Sequence, residues 1–353
     1  MPLCQVCIGG GSGFIGSHLA IRLKSDGHKV RCVDYKKNEF MREEEFCDEF
    51  LQLDLRSLEN CEKAVRDCQW VFNLAADMGG MGFISSNQAS CLYNNMQISF
   101  HMIEASRREN VSRFFYASSA CVYPEHLQLD TSRTSLKEDD AWPAAPQDAY
   151  GLEKLVTEAC CQYYQADFPS LEMRIARFHN IYGPKGTWRG GREKAPAAFC
   201  RKALVCGSGL PFEVWGDGSQ VRSFCYIDDC VEGIIRLMQS DYNLPLNLGS
   251  DEDIALSAMA EMVLSLTEKQ KEVEIVYVGG PIGVVGRNSD NTRIREVLNW
   301  APSISLRDGL SRTLKWMSGE IKRAEEEGID IASYASSKVV EQDPNAIGLH
   351  STD

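Results

Sequence analysis

The chain has 353 residues, 44% of them hydrophobic and 25% charged, with a formal net charge of −13. That length and apolar share allow one large core or two coupled lobes, and the ordinary charge content excludes wholesale disorder. The acidic balance argues against nucleic acid or an anionic membrane as a bulk partner, and no run of about 18 apolar residues exists to span a bilayer.

The first residues, Met1-Pro2-Leu3-Cys4-Gln5-Val6-Cys7, carry no basic region or cleavage site. They read as the approach to a strand, not as a signal peptide, and the chain reads as cytoplasmic. Its 14 cysteines are expected to stay reduced there. Cys4 and Cys7 form a lone C-x-x-C without the second pair that a zinc site needs, so no metal is expected.

Period and turn signals place strands at 5–9, 29–34, 50–53, 70–75, 113–118 and 172–177. Helices are expected at 15–26, 59–66, 94–109 and 150–167. Such alternation gives a doubly wound α/β fold, a parallel sheet covered on both faces. After about residue 180 the pattern changes. Residues 182–194 are loop-like, 197–205 helical and 211–215 a short strand. Residues 224–238 read as one more strand–helix unit of the sheet, with further helices at 256–266 and 306–327. The tail from about 334 is polar and reads as peripheral. The expected organisation is a Rossmann-type domain, 1–181 with about 222–250, and a smaller mixed α/β domain, about 182–221 with 251–353.

Gly10, Gly13 and Gly16 sit in G-G-G-S-G-F-I-G, between the first strand and the first helix. Glycines there let the backbone approach a pyrophosphate at the helix N-terminus. Asp34, 18 residues past Gly16, ends the second strand where a carboxylate binds ribose hydroxyls. It favours NAD over NADP, although Lys36 and Lys37 lie close by. Asp54, ending the third strand, could approach the adenine or stand solvated. Tyr150 and Lys154 form Y-x-x-x-K at a helix start, one turn apart on one face. An ammonium beside the phenol, together with an oxidised nicotinamide, would lower its pKa, so that it takes a proton as hydride leaves. Ser119, from Ser118-Ser119-Ala120-Cys121-Val122-Tyr123, is best placed to bond the reacting hydroxyl.

These residues, with Asn73-Leu74-Ala75-Ala76 and Arg222…Tyr226-Ile227-Asp228-Asp229, resemble the extended short-chain dehydrogenase/reductase family of NAD-dependent epimerases and dehydratases. Longer stretches narrow the resemblance: FNLAADMGGMGFI at 72–84, FYASSACVYP at 115–124, RFHNIYGP at 177–184, GTWRGGREKAPAAFCRK at 186–202, GRNSDN at 286–291 and SSKVV at 336–340. They resemble the branch of the family that inverts C3 and C5 of GDP-D-mannose.

The resemblance implies NAD held by Gly10, Gly13, Phe14, Ile15, Gly16, Asp34, Asp54, Leu74, Ala75, Ala76, Tyr150 and Lys154. It implies a 4-keto intermediate, with Cys121 and Lys194 exchanging protons on opposite faces of the sugar. GDP-L-galactose is the implied product, and GDP-L-gulose when C5 alone inverts; supply of ascorbate or cell-wall galactose follows from that. Implied substrate contacts are Gly79, Gly80, Ser119, Ala120, Cys121, Asn180, Glu193, Lys194, Ala195, Lys202, Gln220, Arg222, Arg287 and Ser336, with residues 81–83 as a cover. A homodimer through helices 94–109 and 150–167 is the family expectation.

Two alternatives stay open. One is another nucleotide-sugar enzyme, a 4-epimerase or a 4,6-dehydratase. Cys121, in place of an acid, argues against dehydration, and Lys194 against simple 4-epimerisation. The other is a non-catalytic NAD(H)-sensing protein on the same fold, since fold alone does not fix activity.

Overall fold

The computed structural model describes residues 3–131, 135–207 and 209–338. Its main sheet has seven strands: β1 (Gln5–Gly9), β2 (Lys29–Asp34), β3 (Glu49–Gln52), β4 (Trp70–Asn73), β5 (Arg113–Ser119), β6 (Glu172–Phe178) and β7 (Pro245–Leu248). Their spatial order is β7-β6-β5-β4-β1-β2-β3, and every neighbouring pair is parallel. The order reverses between β1 and β4. In such sheets that switch point, at the carboxyl ends of the strands, opens the ligand crevice. β4 is buried at every position, as a strand covered on both faces must be.

Two helices that carry function lie against this sheet, Gln88–Arg108 and Ala149–Asp167. Asp148 caps the second by accepting a hydrogen bond from Gly151 N–H, which fixes where the Tyr150 turn begins.

Beyond β6 the chain builds smaller sheets. In a four-stranded sheet, Val221–Ser223 lies between Asp253–Ala255 and Gly286–Ser289, and Ser135–Leu136 completes it. One cluster of buried apolar side chains runs from Val6 and Ile8 of the main sheet to Phe212, Val263 and Leu314. The smaller sheets therefore share a core with the larger one.

Two sequence expectations change. The segment 224–238 was expected to add a strand to the main sheet. Only Cys225–Tyr226 is extended there, and it pairs with Ile181–Tyr182 in a separate ribbon. Its helix, Ile227–Gln239, does cover the main sheet. The seventh strand is instead Pro245–Leu248, whose polar centre, Asn247, breaks the apolar run that a buried strand usually shows. Tertiary hydrogen bonds offset that polarity: Asn247 N–H donates to Glu138 Oε1, and Asn247 Nδ2 to Leu136 O. Of the expected tail, residues 339–353 lie outside the described residues.

No helix among the described residues is long and apolar enough to cross a membrane. No group of three His, Cys, Asp or Glu among them could hold a metal. All 14 cysteines are free thiols.

Candidate active site

The cofactor crevice is built at the sheet's switch point. A Cβ at Gly10 would stand 2.7 Å from Ala75 N, and Gly10 has φ +76. A Cβ at Gly16 would stand 2.2 Å from Gly10 O. The turn thus has no room for side chains, and the helix Phe14–Ser25 starts with no side-chain cap on its free N–H groups. Leu74 N–H donates to Gly9 O, which brings Leu74, Ala75 and Ala76 to the rim of this turn. Asp34, at the end of β2, is buried and accepts from Ser12 N–H at 3.3 Å; burial pushes its carboxyl up. Lys37 is spent on Glu43, and Lys36 lies over the Tyr35 ring. Asp54 is engaged by Arg56 through both carboxylate oxygens. An approach to adenine has to compete with that pair.

Around the Tyr150 turn the expected groups meet. Tyr150 and Lys154 are buried, and the lysine ammonium lies 5.4 Å from the tyrosine ring centroid. Ser119, ending β5, lines the cavity beside Tyr150, where it favours the phenolate, and accepts from Cys121 N–H at 3.2 Å. The protein's own groups hold the phenol well above its usual range, through burial first and then through Cys121 and Glu153. The lowering expected from the sequence counted an oxidised nicotinamide beside the phenol. Among the protein's own groups burial is the largest cause of the rise, and Glu153, a buried carboxylate 3.4 Å from Lys154, adds to it.

Cys121 and Lys194 line the same cavity as Ser119 and Tyr150. Cys121 sits in the turn just after β5, where Arg287 Nη1 donates to its Sγ at 3.3 Å. Lys194 is the residue before the helix Ala195–Val205, and burial holds its ammonium below the usual lysine range. Gly79, Gly80, Ala120, Asn180, Glu193, Ala195, Lys202, Gln220 and Arg222 also line this cavity.

The far end of the cavity is cationic. Arg222 and Arg287 stand directly opposite each other on adjacent strands. Like charges in that register repel. Among the described residues neither has a carboxylate partner, and the donors of Arg222 go to backbone carbonyls such as Val285 O. Burial, then Arg287, brings Arg222 down to about 9. Lys202, buried and bonded only to Glu213 O among the described residues, is brought down to about 8, mainly by burial. In a chain of net charge −13, three cations with no ion-pair partner among the described residues mark a site for an anion, and a pyrophosphate suits the guanidinium forks. Gln220 leaves a buried Oε1 without a partner at the same cavity.

Ser336 does not line the cavity. Its carbonyl is taken by Arg201 at 2.9 Å, and Ser337 and Lys338 form the wall instead. Sequence reasoning also missed Phe178, Trp215 and the segment Pro281–Val284 in that wall. Their only signal was Gly-Pro at 280–281, which marks a turn and nothing more. His179 is buried, shares a hydrogen bond with Asn247 and is held down to about 3 by burial. It is no base.

Comparison with known proteins follows this geometry. A family model described as "NAD dependent epimerase/dehydratase family" matches residues 6–249. The chain is 58% identical over 336 residues to GDP-mannose 3,5-epimerase of Arabidopsis thaliana, covering 95% of this chain and 88% of that one. It is 58% identical to GDP-mannose 3,5-epimerase 1 of Oryza sativa subsp. indica, covering 95% and 87%. Among solved structures, MoeE5 in complex with UDP-glucuronic acid and NAD superposes with a TM-score of 0.77 at 26% identity, covering 90% of this chain and 99% of that one.

Proposed function

The chain belongs to the NAD-dependent epimerase/dehydratase family, and on that premise we propose that it inverts C3 and C5 of GDP-D-mannose to give GDP-L-galactose, with GDP-L-gulose when C5 alone inverts. The observation that carries this reading is the meeting of Cys121 and Lys194 with the Ser119–Tyr150 pair in one cavity. A dehydratase needs an acid at the cysteine's place, and a simple 4-epimerase needs neither residue.

The crevice fits NAD. Its turn leaves no space for a Cβ at Gly10 or Gly16, a helix N-terminus stands free, and Asp34 faces the ribose position. Bound there, NAD⁺ would supply a reversible hydride acceptor for C4 of the sugar, so that no net redox would result. Tyr150 accepts the O4 proton, Ser119 orients that hydroxyl, and Lys154 supports the phenolate against the opposing charge of Glu153. The C4 ketone acidifies the hydrogens at C3 and C5. Cys121 and Lys194 remove and return those protons from opposite faces. The depressed lysine suits this work, since a base is most useful when its pKa lies near working pH. Lys202, Arg222 and Arg287 hold the diphosphate, and Asn180 and Gln220 take the sugar and its neighbourhood.

We place the NAD-binding domain at 1–181 with about 222–250 and the nucleotide-sugar-binding domain at about 182–221 with 251–353, the substrate lying between side chains of both. A homodimer is supported by the large apolar side chains that the two long helices expose: Tyr93, Leu152, Val156 and Tyr163. The free thiols suit a cytoplasmic location.

The test is direct. Purified protein should carry NAD(H) and turn over GDP-mannose, with GDP-L-galactose among the products. A GDP-4-keto-6-deoxy sugar would move the reading to a dehydratase. Bound NAD(H) without turnover would move it to a sensor.

A further inference from the structure

Lys194 has to reach the sugar, yet its ammonium has no hydrogen-bond or ion-pair partner among the described residues. Its position is therefore set by its backbone. That backbone follows Gly190 and Gly191, which have φ +91 and +89, values that only glycine adopts freely. Contacts of the residues just before Lys194 fix the loop.

Two residues anchor it: Glu193, whose buried side chain pairs with Arg201 at 2.8 Å and accepts from Gly191 N–H at 2.7 Å, holds the loop to the helix behind it, and Arg192 holds it to the segment in front. Its Nη1 donates to Asp77 Oδ1 at 3.0 Å, its carbonyl accepts from Gly80 N–H at 3.1 Å, and its guanidinium lies 3.7 Å from the Phe83 ring centroid. A Cβ at Gly80 would stand 2.9 Å from Glu193 O, so the two loops touch backbone to backbone there. Asp77 is itself fixed. Asn95 Oδ1 accepts from Asp77 N–H at 2.6 Å, and Asn95 Nδ2 donates to Asp77 O at 3.1 Å. The same Nδ2 donates to Glu153 Oε1, and Glu153 pairs with Lys154. A continuous ladder thus runs from Lys154 through Glu153, Asn95, Asp77 and Arg192 to the backbone of Lys194.

We propose that Arg192 and Asp77 are positioning residues for proton transfer, forming a clasp that holds the Lys194 loop against the Met78–Phe83 segment over the sugar. The proposal rests on the epimerase reading given above. The pair itself is half exposed, at 43% and 23% of its side-chain surfaces. Such an ion pair contributes little to global stability, on the order of 1 kcal/mol or less. Its importance is geometric, because a displacement of about 1 Å in a reacting group can cost about 100-fold in rate. Substrate grip lies elsewhere, at Lys202, Arg222 and Arg287, so loss of the clasp should spare binding.

Arg192→Gln, Asp77→Asn and Arg192→Lys test this in the NAD-loaded protein. We expect the first two to lower kcat for solvent-deuterium exchange at C3 and C5 by about tenfold or more, with KM for GDP-mannose moving less than about threefold. Arg192→Lys keeps the charge and should recover part of the loss. Amide hydrogen exchange without substrate should speed up at Gly80 and at 190–194 in the first two variants alone. Unchanged amide exchange there, or a KM that rises as much as kcat falls, would overturn the clasp. Wild-type protein that exchanges no deuterium while the amide pattern holds would overturn the epimerase reading and leave the clasp as a loop latch.

Discussion

Arg177 and Arg287 are both buried arginines on strands that lead towards the cavity. Around Arg177 every charge is answered. Its Nε and Nη2 donate to both oxygens of Glu158, its Nη1 to Glu138 O, and Ser118 donates to the same carboxylate at 2.5 Å. Arg287 has an amide oxygen at 2.5 Å, a thiol at 3.3 Å and a second arginine across the register. Closed networks of the first kind hold a fold together. An unanswered pair of the second kind stores repulsion that an anionic ligand relieves. The residue type is the same; the counter-charge separates structure from function.

The comparison breaks most visibly in stability. Arg177→Met leaves Glu158 buried without its partner and should cost about 3–5 kcal/mol in denaturant unfolding. Arg222→Met relieves the repulsion from Arg287 and should move stability by less than about 1.5 kcal/mol. The same change should weaken GDP-mannose binding, measured by calorimetry, by about 2–3 kcal/mol, or roughly 30- to 150-fold. If both substitutions unfolded the protein alike, the distinction would fail.

A smaller effect sharpens the closed side. His179 belongs to the Arg177 network through Asn247 and Tyr123, and its folded pKa is depressed to about 3. Above about pH 6.5 it is neutral both folded and unfolded, so it contributes no pH dependence. Below that only the unfolded chain takes up the proton. Stability should then fall by about 1.4 kcal/mol per pH unit down towards pH 3. In His179→Gln this part of the slope should vanish; an unchanged slope would place the titration elsewhere.

How far each region was legible in the sequence follows the same division. The cofactor turn was readable because Gly10, Gly13 and Gly16 fall within one short segment between a strand and a helix, and because Asp34 ends the next strand. Tyr150 and Lys154 were readable because one helical turn joins them. The sugar site is different. Cys121, Lys194, Arg222 and Arg287 come from four separate segments, and only resemblance over long stretches brought them together before the fold did. Trp215 carried no local signal, and of the resembling SSKVV stretch only Ser336 was taken as a contact where Ser337 and Lys338 form the wall, since a wall residue is set by what it faces. Pro245–Leu248 was missed because Asn247 is satisfied only by distant partners. Glu153 was passed over as the fourth letter of Y-x-x-x-K, and it adds to the rise that burial imposes on the tyrosine.

The central claim is that Cys121 and Lys194 exchange the protons at C3 and C5 beside a separate Tyr150 redox site. Proton NMR of the protein with GDP-mannose in D₂O tests it, with Cys121→Ser run alongside. The wild type should place deuterium at both carbons as GDP-L-galactose forms. Cys121→Ser should still oxidise the sugar but incorporate deuterium about 100- to 10,000-fold more slowly, the range of acid–base contributions. Normal inversion by Cys121→Ser, or wild-type product without deuterium at either carbon, would contradict the account.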